Sequence, residues 1–90
     1  MESKVLKIVT RKFNFYRAPE CKAKVISQNN GIVKVEFSGT KASFACCFDE
    51  NFIDYQYYLK DYGGKDFSIR KIERKNPERF IIFYEEVKNV

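Results

Sequence analysis

The chain has 90 residues, 44% of them hydrophobic and 32% charged, a balance that excludes both a disordered chain and a membrane-spanning one. A chain of this length buries one hydrophobic core, so we predict a single domain over residues 1–90. The net charge is +5, and residues 1–24 hold a surplus of that whole size, which makes this a small basic protein suited to an anionic partner.

The first predicted element covers residues 4–16, and two signals disagree about its type. Its β-branched residues favour a strand. Its apolar residues recur at helical spacing, and the predicted buried side contains Leu6, Val9, Phe13 and Tyr16. We predict a helix that ends before Pro19, because proline disfavours helical geometry in the residue that precedes it. A strand here is the alternative.

Three strands are predicted next. Asn30-Gly31 tolerates the positive φ of a type I′ turn, which predicts a hairpin with strands at residues 22–28 and 32–38. Gly39-Thr40 is a second turn signal, and apolar side chains alternate from Ala42 to Phe48 as in a third strand. We expect these strands to form an antiparallel meander with one face in water.

A second helix is predicted over residues 50–62. Asp49 suits the position before its first turn, and Gly63-Gly64 suits the position after its last turn. The predicted buried side contains Phe52, Tyr55, Tyr58, Leu59 and Tyr62. Tyr57 is then the exposed aromatic ring of this helix.

A final hairpin is predicted from residues 67–75 and 80–87, joined by the turn Asn76-Pro77-Glu78. Residues 80–84 are apolar without alternation, so both faces of that strand need a cover, from this chain or from a second copy. The predicted fold is α+β with the order α-β-β-β-α-β-β, an antiparallel sheet of five strands and two helices. If residues 4–16 form a strand, the sheet has six strands and the fold one helix. We detect no internal repeat.

Catalysis and metal binding have little support in the residue types. Histidine is absent and the acidic side chains stand singly in predicted turns or on wet faces, so we expect no enzyme, no catalytic residue and no cofactor. Three cysteines without histidine do not make a tetrahedral zinc site, so we expect reduced thiols and no metal. The first residues lack the apolar run of a signal peptide, which predicts a cytoplasmic protein without membrane contact.

Basic residues are the group that points to a function. The first basic cluster lies on one face of the first predicted helix and on the strand after it, and comprises Lys4, Lys7, Arg11, Lys22 and Lys24. The second basic cluster lies on the last hairpin, with its two strand arginines expected on one face, and comprises Arg70, Arg74, Lys75 and Arg79. Such surfaces bind DNA or RNA phosphates, and with no aromatic platform in view we expect backbone contacts without sequence preference.

Two alternatives compete with nucleic-acid binding. Basic residues often form a merely solvated face, and nearby glutamates such as Glu73 and Glu85 are placed to neutralise the second basic cluster. The chain is otherwise interpreted as a protein-interaction module that forms a homodimer through Tyr57, Ile82 and Phe83.

Overall fold

The computed structural model describes residues 2–18, 20–40 and 49–87. Its elements are α1 (Ser3–Arg17), β1 (Cys21–Asn29), β2 (Ile32–Gly39), α2 (Asp49–Gly63), β3 (Phe67–Asn76) and β4 (Arg79–Glu86). The α+β class is confirmed, as is a helix at the start of the chain, and the order of described elements is α-β-β-α-β-β. Neither helix in this part of the chain has the length and apolar character needed to cross a membrane.

The sheet has four antiparallel strands in the order β1-β2-β4-β3. The predicted meander is wrong about the neighbour of β2, because β2 lies between β1 and β4. The predicted strand Ala42–Phe48 lies outside the described residues. Pairing of β2 with β4 joins segments far apart in sequence, and turn signals and alternation carry no information on such a pairing.

The backbone confirms the turns predicted at Asn30-Gly31 and in the last hairpin, whereas Gly39 of the predicted turn Gly39-Thr40 is the last residue of β2. Asn30 and Gly31 have φ values of 52° and 78°, as a type I′ turn requires. In the last hairpin the Asn76 side-chain oxygen accepts the Glu78 N–H at 2.8 Å, which stabilises the turn between β3 and β4. Gly64 has φ 70° and its N–H donates to the Lys60 carbonyl at 2.9 Å, so a glycine ends α2 as predicted.

The helices bury a narrower stripe than their periodicity predicts. Tyr16 and Tyr62, both assigned to the buried side, are 65% and 46% exposed. Each lies in the last turn of its helix, beyond the residues that pack on the sheet. Tyr57 is exposed as predicted.

The two halves of the chain repeat one layout, a helix followed by a hairpin, which the sequence does not reveal. Both helices have 15 residues and bury apolar side chains at one spacing, namely Leu6, Val9 and Phe13 in α1 and Phe52, Tyr55 and Leu59 in α2. Val35 of β2 stands opposite Ile82 of β4 at the centre of the sheet. The two hairpins are also hydrogen-bonded to each other. The Glu78 carbonyl in the turn of the second hairpin accepts the Gly39 N–H, and the Gly31 carbonyl in the turn of the first hairpin accepts the Glu86 N–H. The fold is thus a pseudo-two-fold arrangement of two αββ units.

The core lies between the helices and one face of the sheet. Phe37 of β2 packs against Phe13 of α1 and Tyr55 of α2, with ring centroids 5.5 and 5.6 Å apart. The helices also bond directly, since the Thr10 and Tyr55 hydroxyls lie 2.8 Å apart. These contacts hold α1 in place beside β1.

Candidate functional site

A groove of ≈ 750 Å³ runs between α1 and the edge strand β1. Its lining combines apolar and basic side chains, among them Leu6, Ala23, Val25, Lys7, Arg11 and Lys24. We call it the α1–β1 groove. Its position follows from the packing of a helix next to an edge strand.

One end of the α1–β1 groove is closed by Asn14. Its side-chain amide donates to the Ala23 carbonyl at 3.0 Å, and its side-chain oxygen accepts the Ala23 N–H at 2.7 Å. A register shift between Val25 and Ser27 then interrupts the same strand. An edge strand with one residue already paired and a bulge after it is a poor template for an added strand. The groove therefore offers its side chains, rather than its backbone, to a partner.

Replacing Asn14 by alanine is expected to lower the free energy of unfolding by about 1–2 kcal/mol, because both backbone groups of Ala23 lose their partner. Chemical denaturation followed by circular dichroism measures this. Gln28→Ala is the matched control, since Gln28 is a polar residue in the lining of the same groove, and it should change the value by less than about 0.5 kcal/mol. Equal effects of the two changes would contradict a sealing role for Asn14.

The structure divides the first basic cluster between α1 and the adjacent edge strand. Lys22 and Lys24 alternate along β1 with residues buried under the helices, so their side chains point to the sheet face away from α1, and of the two only Lys24 lines the α1–β1 groove. Lys4, Lys7 and Arg11 are exposed on α1, and Lys22 and Lys24 are exposed on the adjacent strand β1. Across the described ranges, no carboxylate lies within ion-pair distance of any of these five charged groups. The cluster therefore retains its positive charge for an anionic partner.

The second basic cluster is divided by the structure. A register shift at Arg70 turns its guanidinium to Glu85, at 2.7 Å, on the sheet face away from the helices. Arg74 is paired in register with Phe80 and lies over that ring at 5.6 Å, on the helix side. The expectation that Arg70 and Arg74 share a face is wrong, because a bulge reverses the alternation of side chains along β3.

The remaining members of the second basic cluster stand near carboxylates. Lys75 lies 3.8 Å from Glu73, and Arg79 lies 4.0 Å from Glu36. Such exposed pairs contribute little to stability, but they cancel charge locally. Arg70, Arg74 and Lys75 lie on β3, at the opposite edge of the sheet from β1, and do not extend the surface of the first basic cluster. Arg79 of β4 stands in the same cross-strand row as Lys22, with Ser38 of β2 between them.

Exposed rings beside the first basic cluster are the feature that sequence reasoning missed. Phe15 is 79% exposed and Tyr16 is 65% exposed, and their rings meet edge to face with centroids 5.1 Å apart. A signal was present, because Phe15 stands four residues after Arg11 and therefore falls on the same side of a helix.

The three residues predicted at a dimer interface do not share a surface. Ile82 is fully buried on the helix side of β4, so it belongs to the core of one chain. Phe83 points to the other face, half-buried, with the ammonium groups of Lys34 and Lys71 at 5.3 and 5.6 Å from its ring centroid. Tyr57 is exposed on α2. Within one chain the helix side of β4 is thus buried, and lysine side chains cover part of the Phe83 ring on the other face.

The cysteine that the structure describes belongs to the core. Cys21 is buried at the start of β1, and burial raises the pKa of its thiol to about 11, which nearby Arg17 opposes in part. Cys46 and Cys47 lie outside the described residues. In residues 2–18, 20–40 and 49–87, no group of His, Cys, Asp and Glu side chains is placed to hold a metal ion.

Comparison of the chain with protein-family models, curated proteins and solved structures finds no match.

Proposed function

We propose that this protein binds nucleic acid without sequence preference, through phosphate contacts from the first basic cluster along the α1–β1 groove. The observation that carries the proposal is the absence of ion-pair partners, among the described residues, for Lys4, Lys7, Arg11, Lys22 and Lys24. Exposed ammonium and guanidinium groups bind phosphates and release the counterions condensed on them.

The repeat within the fold supports a functional rather than a structural role for these charges. The positions on α2 equivalent to Lys4, Lys7 and Arg11 are Glu50, Ile53 and Tyr57, as judged from the spacing to the buried residues. The second αββ unit therefore builds the same scaffold without a basic helix face. The charges on α1 are additional to what the fold needs.

A peptide partner fits the same edge less well. Peptides that bind beside a helix commonly add a strand to a sheet edge through backbone hydrogen bonds. Here Asn14 already occupies both backbone groups of Ala23, and the register shift after Val25 breaks the strand. The lining of the groove includes the positive charges of Lys7, Arg11 and Lys24, which suit phosphates.

The direct test is fluorescence anisotropy with labelled nucleic acid at low and moderate salt. With four or five phosphate contacts, the logarithm of the affinity for duplex DNA should fall against the logarithm of salt concentration with a slope of about −4. Scrambling the sequence of the probe should leave the affinity unchanged, because contacts to phosphates carry no sequence information.

The double substitution Lys7→Gln/Arg11→Gln should weaken binding to all probes about equally and reduce the salt slope by about 2, since two phosphate contacts are removed. Lys60→Gln/Lys65→Gln is the matched control: it changes the net charge equally, and both lysines are exposed but paired with Asp66 and Glu86. This control should bind like the original protein. Absence of binding at low salt, or equal weakening by both double variants, would refute a site on α1.

A further inference from the structure

The outer side of α1 carries an aromatic ring that the core does not use. Phe15 is 79% exposed, whereas every other phenylalanine in the described residues is buried or half-buried. It stands four residues after Arg11, which itself stands four residues after Lys7, so the three side chains follow one another along the helix surface. Aromatic and cationic groups thus form one stripe.

The stripe has no acidic member and no structural equivalent. No Asp or Glu occurs between Ser3 and Arg17. On α2 the position equivalent to Phe15 is Asp61, so the αββ unit forms without a ring at this place. The fold itself therefore gives no reason for an exposed phenylalanine here.

We infer that the nucleic acid bound by this protein is single-stranded, with its phosphates on Lys7 and Arg11 and one base stacked on the ring of Phe15. This inference rests on the proposed function and specifies the kind of nucleic acid that is bound. The bases of a duplex are stacked on each other, whereas an unpaired strand offers their faces to aromatic side chains. A stripe with both cations and a ring matches a strand with both phosphates and free bases. Tyr16 supports the ring of Phe15 from the side.

Binding of a labelled single strand and of a duplex of equal length should be measured with Phe15→Ala, Phe15→Trp and Tyr57→Ala. Phe15→Ala should weaken single-strand binding by about 5-fold to 10-fold, as expected for the loss of one stacked base. Its effect on the duplex should be below about 2-fold, and its salt slope should match that of the original protein, because no phosphate contact is lost. Phe15→Trp retains a ring and should retain the affinity. Tyr57→Ala removes an exposed ring on α2 and should change neither probe.

These measurements test the stacking role of Phe15 separately from nucleic-acid binding by the first basic cluster. Unchanged single-strand binding by Phe15→Ala, or equal weakening of both probes, overturns the stacking role, while the groove proposal stands if Lys7→Gln/Arg11→Gln still weakens binding. No binding of either probe at low salt overturns both. Vesicles of phosphatidylcholine and phosphatidylserine complete the test, because a basic and aromatic helix face also suits anionic lipid. Loss of vesicle binding by Phe15→Ala without loss of single-strand binding overturns the inference in favour of a lipid surface.

Discussion

Phe37→Ala is expected to lower the free energy of unfolding by about 3–5 kcal/mol, a large fraction of the stability of a small domain. The side chain is fully buried on β2, and its ring contacts Phe13, Phe52 and Tyr55, so it connects the sheet with both helices. Truncation of a buried phenylalanine costs about 3–5 kcal/mol, because the transfer free energy is lost and a cavity remains. A small domain has about 5–15 kcal/mol in total.

Urea denaturation of Phe37→Ala, followed by circular dichroism, measures this loss. The control is Phe15→Ala, which deletes the same side chain at an exposed position of α1 and should cost less than about 0.5 kcal/mol. A cost below about 1.5 kcal/mol for Phe37→Ala would be inconsistent with the three ring contacts. Phe37→Leu should fall between the two, because leucine fills part of the cavity.

The second large effect is a loss of stability in alkaline solution. Burial raises the pKa of Tyr55 to about 12, which the hydrogen bond between Tyr55 and Thr10 opposes in part, and burial also raises the pKa of Tyr84 well above its usual value. The Tyr84 hydroxyl donates to the Phe52 carbonyl at 2.7 Å within the core. Because the pKa of Cys21 is also raised, to about 11, three buried acids resist losing their protons in the folded chain.

Linkage between proton binding and folding determines the direction in which pH changes the stability. In the unfolded chain these groups ionise near pH 9 for cysteine and near pH 10 for tyrosine, where the folded chain still binds their protons. The protonated forms of these three groups therefore cost the protein no stability below about pH 9, and the protein loses stability as the pH rises towards 12. Cys21 and Tyr55 contribute losses of about 2–3 kcal/mol each, because a tenfold change in an ionisation constant corresponds to about 1.4 kcal/mol.

Denaturation at several pH values between 7 and 12 tests this expectation, with Tyr84→Phe as the informative variant. At pH 7 the variant should be less stable by about 1 kcal/mol, because the hydroxyl bond to Phe52 is lost. Above pH 10 the difference should shrink and then reverse, because the variant has no buried phenol to ionise at this position. Tyr57→Phe, an exposed position, should keep the pH profile of the original protein. A flat profile up to pH 12 would contradict the buried state of these groups.

Periodicity in the sequence predicted the members of the first basic cluster, but it did not predict that, among the described residues, they have no ion-pair partner. Helical spacing placed Lys4, Lys7 and Arg11 on one face of α1, and the alternation of β1 placed Lys22 beside Lys24. Whether a cation is paired depends on which strand passes next to it. For Arg70 the partner is Glu85 of β4, in a register that a bulge produces. The tertiary structure therefore decided which basic cluster keeps its charge.

The sequence alone determined the features set by neighbouring residues. These are both helices, the type I′ turn at Asn30-Gly31, the glycine end of α2 and the hairpin around Pro77. Each depends on dihedral preferences or side-chain periodicity over a few residues. The tertiary structure decided the strand order β1-β2-β4-β3, the repeat of the αββ unit and the burial of Ile82. These depend on contacts between residues distant in the chain, which local preferences do not contain.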